Sequence, residues 1–434
     1  MGFIISSVGS AVGLGNIWSF PYKLADGGTL FLWSYIFLAL FVGIPLLTGE
    51  MCIGRMSGNG VISAYGNLSP KLSFLGILSV ISPCIVMSYY TVIGGLCIRY
   101  FFANLKGIVF GFSYSDSKLF FNETSSEILC VIAYSLLFVL ITYLISRKGI
   151  SSGIEKFNKI AMPMLFGILI LLAFVTLKKY GIGEISMHQF DFAEISFAEA
   201  LKAFSSAGEQ MFFSLSIAVG IMVTYGSLMN KKQNIPISAA AVAAADSVVA
   251  FFAGLTVIPV AFSINANGGE TSGIGLLFVT MQNVFVSGSN FGAAFGSLFF
   301  LLVIIAAVSS AVAFVEVPVS AIYDVGVKNR NTALIFCCII ISIPAILIGA
   351  DGFKNHVMEL CIFIAEGIVI PVTALISSVY IGWFGGLEEI CSELRGSKYY
   401  TTCKKLFPLV FKFFAPIVIV LVIIGQIIAY AANT

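Results

Sequence analysis

The sequence predicts an all-α integral membrane fold with about 11 transmembrane helices. Of its 434 residues, 59% are hydrophobic and only 10% are charged, which is too little polar surface for a soluble domain of this length. Many apolar runs reach or approach the ~20 residues that span a hydrocarbon core as a helix. Two of these runs are interrupted by glycine and small polar residues. The whole chain, 1–434, is therefore predicted to be one membrane domain.

The predicted spans follow from hydropathy along the chain. They lie near 2–24, 29–55, 72–104, 126–146, 153–177, 200–228, 236–263, 293–325, 331–349, 355–384 and 407–431. The connections 106–124, 178–199 and 264–292 are polar and are predicted to be long loops on one side. Most of the 23 lysines and arginines fall on the other side. This bias predicts a cytoplasmic N-terminus and an external C-terminus in the cell membrane.

Composition also excludes several classes of protein. The net charge of +2 and the lack of a basic aromatic stripe argue against a nucleic-acid partner. Nine cysteines without ligand spacing and two histidines argue against a metal cluster or a disulfide framework. The sequence shows no nucleophile–base pair of the kind that an enzyme needs, and it shows no selectivity-filter motif of the kind that a channel needs. We expect the protein to lie in a lipid bilayer and to need no obligate protein partner.

The first helix is interrupted at Gly9-Ser10-Ala11-Val12-Gly13-Leu14-Gly15-Asn16. Each glycine inside a helix costs about 1 kcal/mol of helix stability. Unwound backbone at bilayer depth is tolerated only where it is buried in protein or lines a cavity. Taken alone, close packing through small residues is the commoner explanation.

A second interruption, Ser214-Leu215-Ser216-Ile217-Ala218-Val219-Gly220, lies in the sixth helix. Broken helices in corresponding positions, five helices apart, are typical of secondary transporters built from inverted repeats. The repeats would be 1–177 and 200–384, with 407–431 as an additional helix. The breaks would offer carbonyls to a cation and helix N-termini to an anion.

The first-helix segment from Gly9 to Tyr22 resembles the signature of the neurotransmitter:sodium symporter family. Similar segments elsewhere are Gly43–Leu46 with Glu50, Gly54-Arg55, Tyr89-Tyr90, Phe212–Ser216 and Val308–Glu316. The resemblance implies a LeuT-like fold of five plus five helices in an inverted repeat, with helices 1 and 6 broken and one extra helix. It also implies symport of an amino acid with sodium.

The resemblance further implies two sodium sites made of neutral oxygen donors and one carboxylate. The first would use the Ala11 carbonyl and the side chains of Asn16, Ser214 and Asp246. The second would use the carbonyls of Gly9, Val12 and Ala306 and the hydroxyls of Ser309 and Ser310. Back-bonding to the preceding helical turn is the alternative for the two serines.

Asp246 lies in an otherwise apolar helix, where a carboxylate is costly without a cation partner. By resemblance, chloride-dependent relatives have an asparagine at the Asp246 position and a serine one helical turn later. This chain has Ala250 at that later position. A fixed carboxylate would replace chloride as the counter-charge to sodium, so we expect chloride independence. A structural hydrogen bond or a proton site is the alternative.

The substrate site implied by the resemblance lies between the two breaks. Its expected residues are Ser10, Ala11, Gly15, Val86, Tyr90, Phe213, Ser214, Ser216, Ala218, Val219, Ser310 and Phe314. An uncharged surface predicts a neutral, hydrophobic amino acid. The sequence does not distinguish an aliphatic from an aromatic amino acid as substrate. Val219 is small and would enlarge the binding pocket, whereas Ala218 and Phe314 would reduce its volume. For Phe213 and Phe314, simple core packing is the alternative.

The gates depart from the family pattern. Ser19 replaces the usual arginine and Ile362 the usual acid, so we expect the outer gate to close by packing of Tyr90 and Phe213, or by hydrogen bonds and water. Asp324 matches an inner-gate acid whose basic partner lies upstream of the first helix. We expect the true start of the protein to lie upstream of Met1; an altered inner gate is the alternative.

Four further glutamates lie in or near the helices. Glu50 and Glu316 are expected to brace the broken backbone, and Glu209 and Glu366 to face a water-filled vestibule. A rival function to symport is a sodium-dependent amino-acid receptor or sensor that has lost transport coupling.

Overall fold

The computed structural model describes residues 2–181, 196–265, 273–282, 292–327, 329–352 and 357–433, and all regular secondary structure in these ranges is helical. The unbroken membrane helices are those numbered second to fifth and seventh to eleventh. They span 29–57, Ser73–Leu105, Ile128–Ser146, Glu155–Tyr180, Ile235–Asn265, Gly292–Asp324, Arg330–Asp351, Val357–Trp383 and Tyr400–Ala431.

The first and sixth helices are broken, as predicted. The first consists of Gly2–Ala11 and a second half that starts at Gly15. It ends at a sharp kink at Gly28, whose φ of 55° is in the left-handed region, and the second helix follows without a loop. The sixth consists of Phe197–Ser214 and Ile221–Gly226.

The structure agrees with the predicted number of spans. Within the described ranges, 9 segments are long and apolar enough to cross a bilayer. One of them, Gly15–Ser57, holds parts of two helices, and the broken sixth helix is not among the 9. When the two helices of that segment are counted separately and the sixth helix is included, the described ranges hold 11 membrane helices.

The prediction of a loop over 106–124 was partly wrong, because most of this segment belongs to a helix, Tyr114–Ser126. A capping box starts this helix: the Asp116 amide donates to Ser113 Oγ (3.2 Å), and the Ser113 amide donates to Asp116 Oδ2 (2.9 Å). The Ser113 hydroxyl also donates to Asp116 Oδ2 (2.7 Å), and this bond, followed by that of the Ser113 amide, holds the pKa of the Asp116 carboxyl below its usual range. Of the other predicted loops, 182–195, 266–272 and 283–291 lie outside the described residues, and 273–282 is helical.

The eighth helix lies at the centre of the bundle and the fourth at its edge. In its most apolar window the eighth helix is 83% buried, whereas the fourth is only 28% buried. Large apolar side chains such as Leu129, Ile160 and Phe174 are exposed on the outer helices. Exposed apolar surface of this extent fits contact with lipid.

The second helix and the short half of the sixth touch through glycine. A Cβ atom added at Gly54 would lie 2.0 Å from the Val223 carbonyl oxygen, and one at Gly226 would lie 2.6 Å from the Met51 carbonyl oxygen. Such contacts between backbones are possible only without side chains. The Ile221–Gly226 half-helix is therefore held directly against the second helix.

Gly54→Ala should lower the melting temperature of the purified protein in detergent, because overpacking of this kind costs about 1–3 kcal/mol. Gly167→Ala is the matched control, since a Cβ atom there meets nothing within 4 Å. The control should keep or raise the melting temperature through its better helix propensity. Equal melting temperatures for the two variants would contradict the close contact.

Candidate functional site

The break in the first helix is closed by side chains. The Val12 amide still donates to the Val8 carbonyl (2.8 Å), but the next two amides leave the helical pattern. The Gly13 amide donates to Asn16 Oδ1 (3.0 Å), and the Leu14 amide donates to the Tyr90 hydroxyl (3.1 Å). Tyr90 belongs to the third helix, so the break depends on a residue far away in sequence.

The break in the sixth helix contains two strained residues. Ser216 (φ 55°) and Ala218 (φ 64°) adopt left-handed backbone conformations that are uncommon for residues other than glycine. The Ala218 amide donates to Glu50 Oε1 on the second helix (2.6 Å). Glu50 therefore contacts the broken backbone, as expected. Strain of this kind clusters at functional sites.

The Asp246 carboxylate joins the two breaks to the seventh helix. Its Oδ1 accepts hydrogen bonds from Asn16 Nδ2 (2.7 Å) and Ser214 Oγ (2.6 Å), and Asn16 Nδ2 is also 3.1 Å from the Asp246 carbonyl oxygen. Tyr35 of the second helix donates to Oδ2. The carboxylate is fully buried. Three of the residues expected at the first sodium site thus lie in direct contact.

Tyr35 was missed by the sequence analysis. In the sequence, Tyr35 is a single hydroxyl-bearing residue in an apolar run, and the sequence does not show which other helix this hydroxyl faces. Among the described residues, the Asp246 carboxylate accepts hydrogen bonds only from neutral donors. Its negative charge is therefore not matched by a side chain in this part of the protein.

A second group of oxygen atoms lies between the first and eighth helices. Ser309 Oγ is 3.3 Å from the Val12 carbonyl oxygen and 2.9 Å from the Ala306 carbonyl oxygen. Ser310 Oγ donates to the Ser10 carbonyl (3.1 Å). Ser309 thus makes both the helical back-bond and the contact across the break.

Three aromatic rings pack together beside the two breaks. Phe314 lies 5.8 Å from Tyr90 and 6.5 Å from Phe213, measured between ring centroids. A Cβ atom added at Gly15 would lie 3.0 Å from the Phe213 ring. The other expected residues of the substrate site are also buried. They are Ser10, Ala11, Val86, Ser214, Ser216, Ala218, Val219 and Ser310.

A cavity of about 610 Å³, which we call the Glu366 cavity, lies on one side of Phe213. Ser19, Ile362, Glu209 and Glu366 all line it. Ser19 donates to Gln210 Oε1 (2.8 Å), and Gln210 Nε2 donates to the Gly15 carbonyl (2.9 Å). A hydrogen-bonded chain therefore occupies the place where the family pattern has an arginine.

An ion pair next to this cavity was not predicted. Lys23 Nζ is 3.1 Å from Glu209 Oε2, and both side chains are mostly buried. Gln426 Nε2 also donates to Glu209 Oε2 (2.9 Å). Lys23 follows Ser19 by four residues and so lies on the same helix face, a spacing that could have suggested it. The pair joins the first and sixth helices rather than the first and tenth, so the expected closure of the outer gate by packing or hydrogen bonds stays a prediction.

A cavity of about 630 Å³, the Asp324 cavity, lies near the other ends of the broken helices. Asp324 accepts hydrogen bonds from the amides of Gly60 (3.0 Å) and Ser63 (2.9 Å), at the start of the short helix Val61–Leu68. Its carboxylate thus caps a helix in the loop after the second helix. No described cation pairs with it.

Glu316 was expected to brace broken backbone, and this was wrong. Its two carboxylate oxygens accept from Arg330 Nη1 (2.9 Å) and Nη2 (2.6 Å), which links the eighth and ninth helices. A planar guanidinium fits a carboxylate in this two-bond arrangement better than single amides do.

Comparisons with known proteins agree with this arrangement. The model of the "Sodium:neurotransmitter symporter family" matches residues 1–110 and 123–434. An uncharacterized sodium-dependent transporter of Bacillus subtilis is 30% identical, over 98% of this chain and 96% of the relative. One of Methanocaldococcus jannaschii is 32% identical, over 92% and 84%. The crystal structure of MhsT in complex with L-phenylalanine superposes with a TM-score of 0.87 at 31% identity, over 98% of both chains.

Lys23→Met should lower the melting temperature strongly, because removal of one partner from a buried ion pair costs about 3–5 kcal/mol. The double exchange Lys23→Glu with Glu209→Lys should recover part of the loss. Lys202→Met is the control, since the Lys202–Asp26 pair is exposed and such pairs contribute about 0–1 kcal/mol. Equal losses for Lys23→Met and Lys202→Met would contradict the role of the buried pair.

Proposed function

Because the chain belongs to the sodium:neurotransmitter symporter family, we propose that it imports a neutral, hydrophobic amino acid together with sodium. The family consists of membrane transporters rather than enzymes, and relatives along nearly the whole chain are sodium-dependent transporters. The observation that carries the proposal for this chain is the Asp246 carboxylate, which is buried between both broken helices and accepts hydrogen bonds from neutral donors.

Asp246 is central to the proposed first sodium site. A buried carboxylate without a cation is costly in a membrane interior, and hard oxygen atoms are the ligands that cations such as sodium prefer. Sodium would be held by the Asp246 carboxylate, Ser214 Oγ, Asn16 Oδ1 and the Ala11 carbonyl. Binding of the ion would supply the positive charge that the carboxylate does not receive from the described side chains.

The second proposed sodium site lies between the first and eighth helices. The carbonyls of Gly9, Val12 and Ala306 and the hydroxyls of Ser309 and Ser310 would be its ligands. Ser309 Oγ already lies within 3.3 Å of two of these carbonyls. An uncharged set of this kind binds a monovalent cation through its dipoles alone.

The amino acid would bind between the two breaks. Its ammonium would face free carbonyls of the first and sixth helices, and its carboxylate the Gly15 amide, the Tyr90 hydroxyl and the first sodium ion. Val86, Phe213, Val219 and Phe314 provide apolar, buried surface for the side chain. The related protein MhsT was crystallised with L-phenylalanine, which supports a hydrophobic cargo and leaves aliphatic and aromatic side chains to be compared by experiment.

The two cavities suggest the path of the substrate. The Glu366 cavity would open to the outside and the Asp324 cavity to the cytoplasm, with Tyr90, Phe213 and Phe314 between them. The binding site would be opened to each side in turn as the first, second, sixth and seventh helices move relative to the third, fourth, eighth and ninth. Positive charge on the loops beside the Asp324 cavity supports this orientation.

Vesicles that contain the purified protein should accumulate radiolabelled neutral hydrophobic amino acids when an inward sodium gradient is applied. A potassium gradient of equal size should give no accumulation, and replacement of chloride by gluconate should leave uptake unchanged. A panel of leucine, valine, phenylalanine and tryptophan identifies the preferred side chain. Sodium-dependent binding without accumulation would contradict symport and indicate a sensor.

Asp246→Asn should reduce sodium-driven uptake in chloride-free buffer by at least about tenfold, equivalent to about 1.4 kcal/mol, because the counter-charge to sodium is lost. Added chloride should restore part of the uptake. Tyr35→Phe is the matched control: it removes one donor to the carboxylate but keeps the charge, so uptake should stay chloride-independent. Full uptake by Asp246→Asn without chloride would refute the counter-charge role.

A further inference from the structure

The fifth helix contains a buried amide that has no role in the arrangement described so far. Asn158 is 0% exposed. Neither its Nδ2 nor its Oδ1 has a hydrogen-bond partner within the described ranges. An unsatisfied buried polar group of this type costs about 1–3 kcal/mol. Such a group is expected to find a partner in some state of the protein.

Asn158 packs against the first helix at the point where the helical pattern ends. A Cβ atom added at Gly9 would lie 2.4 Å from Asn158 Nδ2 and 3.0 Å from Oδ1, so the amide occupies the space that a side chain at Gly9 would take. In an unbroken helix the Gly13 amide would donate to the Gly9 carbonyl. Here it donates to Asn16 Oδ1 (3.0 Å). An unpaired amide therefore lies beside a glycine whose carbonyl has lost its usual helical donor.

We propose that Asn158 Oδ1 is a further ligand of the sodium ion bound between the first and eighth helices. This inference rests on the proposed function, in which the Gly9 carbonyl is a ligand of the same ion. The site would then be built from three helices, because Asn158 adds the fifth. A neutral amide oxygen has the same chemistry as Asn16 Oδ1, which is proposed for the first site.

The orientation of the amide presents no obstacle. Exchange of Oδ1 and Nδ2 by rotation about χ2 breaks no hydrogen bond, since neither atom has a described partner. Either orientation is thus available, and a cation next to Gly9 favours the one that directs the oxygen toward it. The competing role is that of a brace, in which Nδ2 donates to the Gly9 carbonyl and no ion is bound.

Two substitutions separate these roles. Asn158→Leu has similar volume and removes both polar atoms. Asn158→Asp keeps two oxygen atoms in the same place and removes the donor, so it preserves a ligand but destroys a brace. Thr176→Val is the control on the same helix. The Thr176 hydroxyl is buried and lies 3.0 Å from the Leu172 and Ala173 carbonyl oxygens of its own helix and 3.4 Å from the Leu255 carbonyl oxygen of the seventh.

The measurement is the melting temperature of the full chain in detergent as sodium replaces potassium at constant ionic strength, without amino acid. Sodium titration of radiolabelled amino-acid binding is the second readout. For Asn158→Leu we expect the sodium concentration at half-maximal effect to rise at least tenfold and the binding curve to become less steep. Asn158→Asp should keep or lower that concentration, and Thr176→Val should leave it unchanged.

Three results would overturn the inference or its premise. An unchanged sodium response in Asn158→Leu would show that Asn158 is not a ligand. A loss of sodium response in Asn158→Asp equal to that in Asn158→Leu would assign the amide as a brace. No sodium response in the unaltered protein would reject the proposed function itself, whatever the variants do. If Asn158→Leu does not fold, Asn158→Ala, which also removes both polar atoms, takes its place beside Asn158→Asp.

Discussion

Backbone groups that leave a helix inside a membrane have no water to bond with, and the rest of this structure depends on how they find partners. Amides at the breaks donate to Asn16, Tyr90 and Glu50. Carbonyls at the first break accept from Ser309 and Ser310. Because these partners come from the first, second, third and eighth helices, both breaks are stable only once the bundle has assembled around them.

The buried charges follow a related rule. Arg330 with Glu316, and Lys23 with Glu209, form pairs in which each charge has an opposite partner. Asp246 and Glu50 differ, since the described donors to these two buried carboxylates are neutral, and Asp246 also contacts residues beside both breaks. A low-dielectric interior makes an unmatched charge costly, so Asp246 marks where the protein gains most from a bound cation. The proposed first sodium site would be incomplete without its ion, which would give a physical basis for coupling the ion to the rest of the cycle.

Much of the fold could be predicted, because its signals are local. Apolar runs of membrane length identify the helices, and clusters of glycine and serine identify the breaks at 12–14 and 215–220. Errors arose where the decisive contact lies far away in sequence. Tyr35 reaches Asp246 across 211 positions. Glu316 is a different case, because it turns to Arg330, only 14 positions away at the start of the next helix, rather than to the broken backbone. The helix at Tyr114–Ser126 was missed although its Ser113 cap is a local signal.

The sequence by itself determined that the chain spans a membrane, where its helices break and which residue types could bind an ion, because hydropathy and helix propensity act over short stretches. Only the tertiary structure decided which side chain meets which break. The left-handed conformations of Ser216 and Ala218 and the unpaired amide of Asn158 against Gly9 could not be read from composition or spacing. They arise when helices remote in sequence pack at backbone contact, and that packing is a property of the assembled bundle.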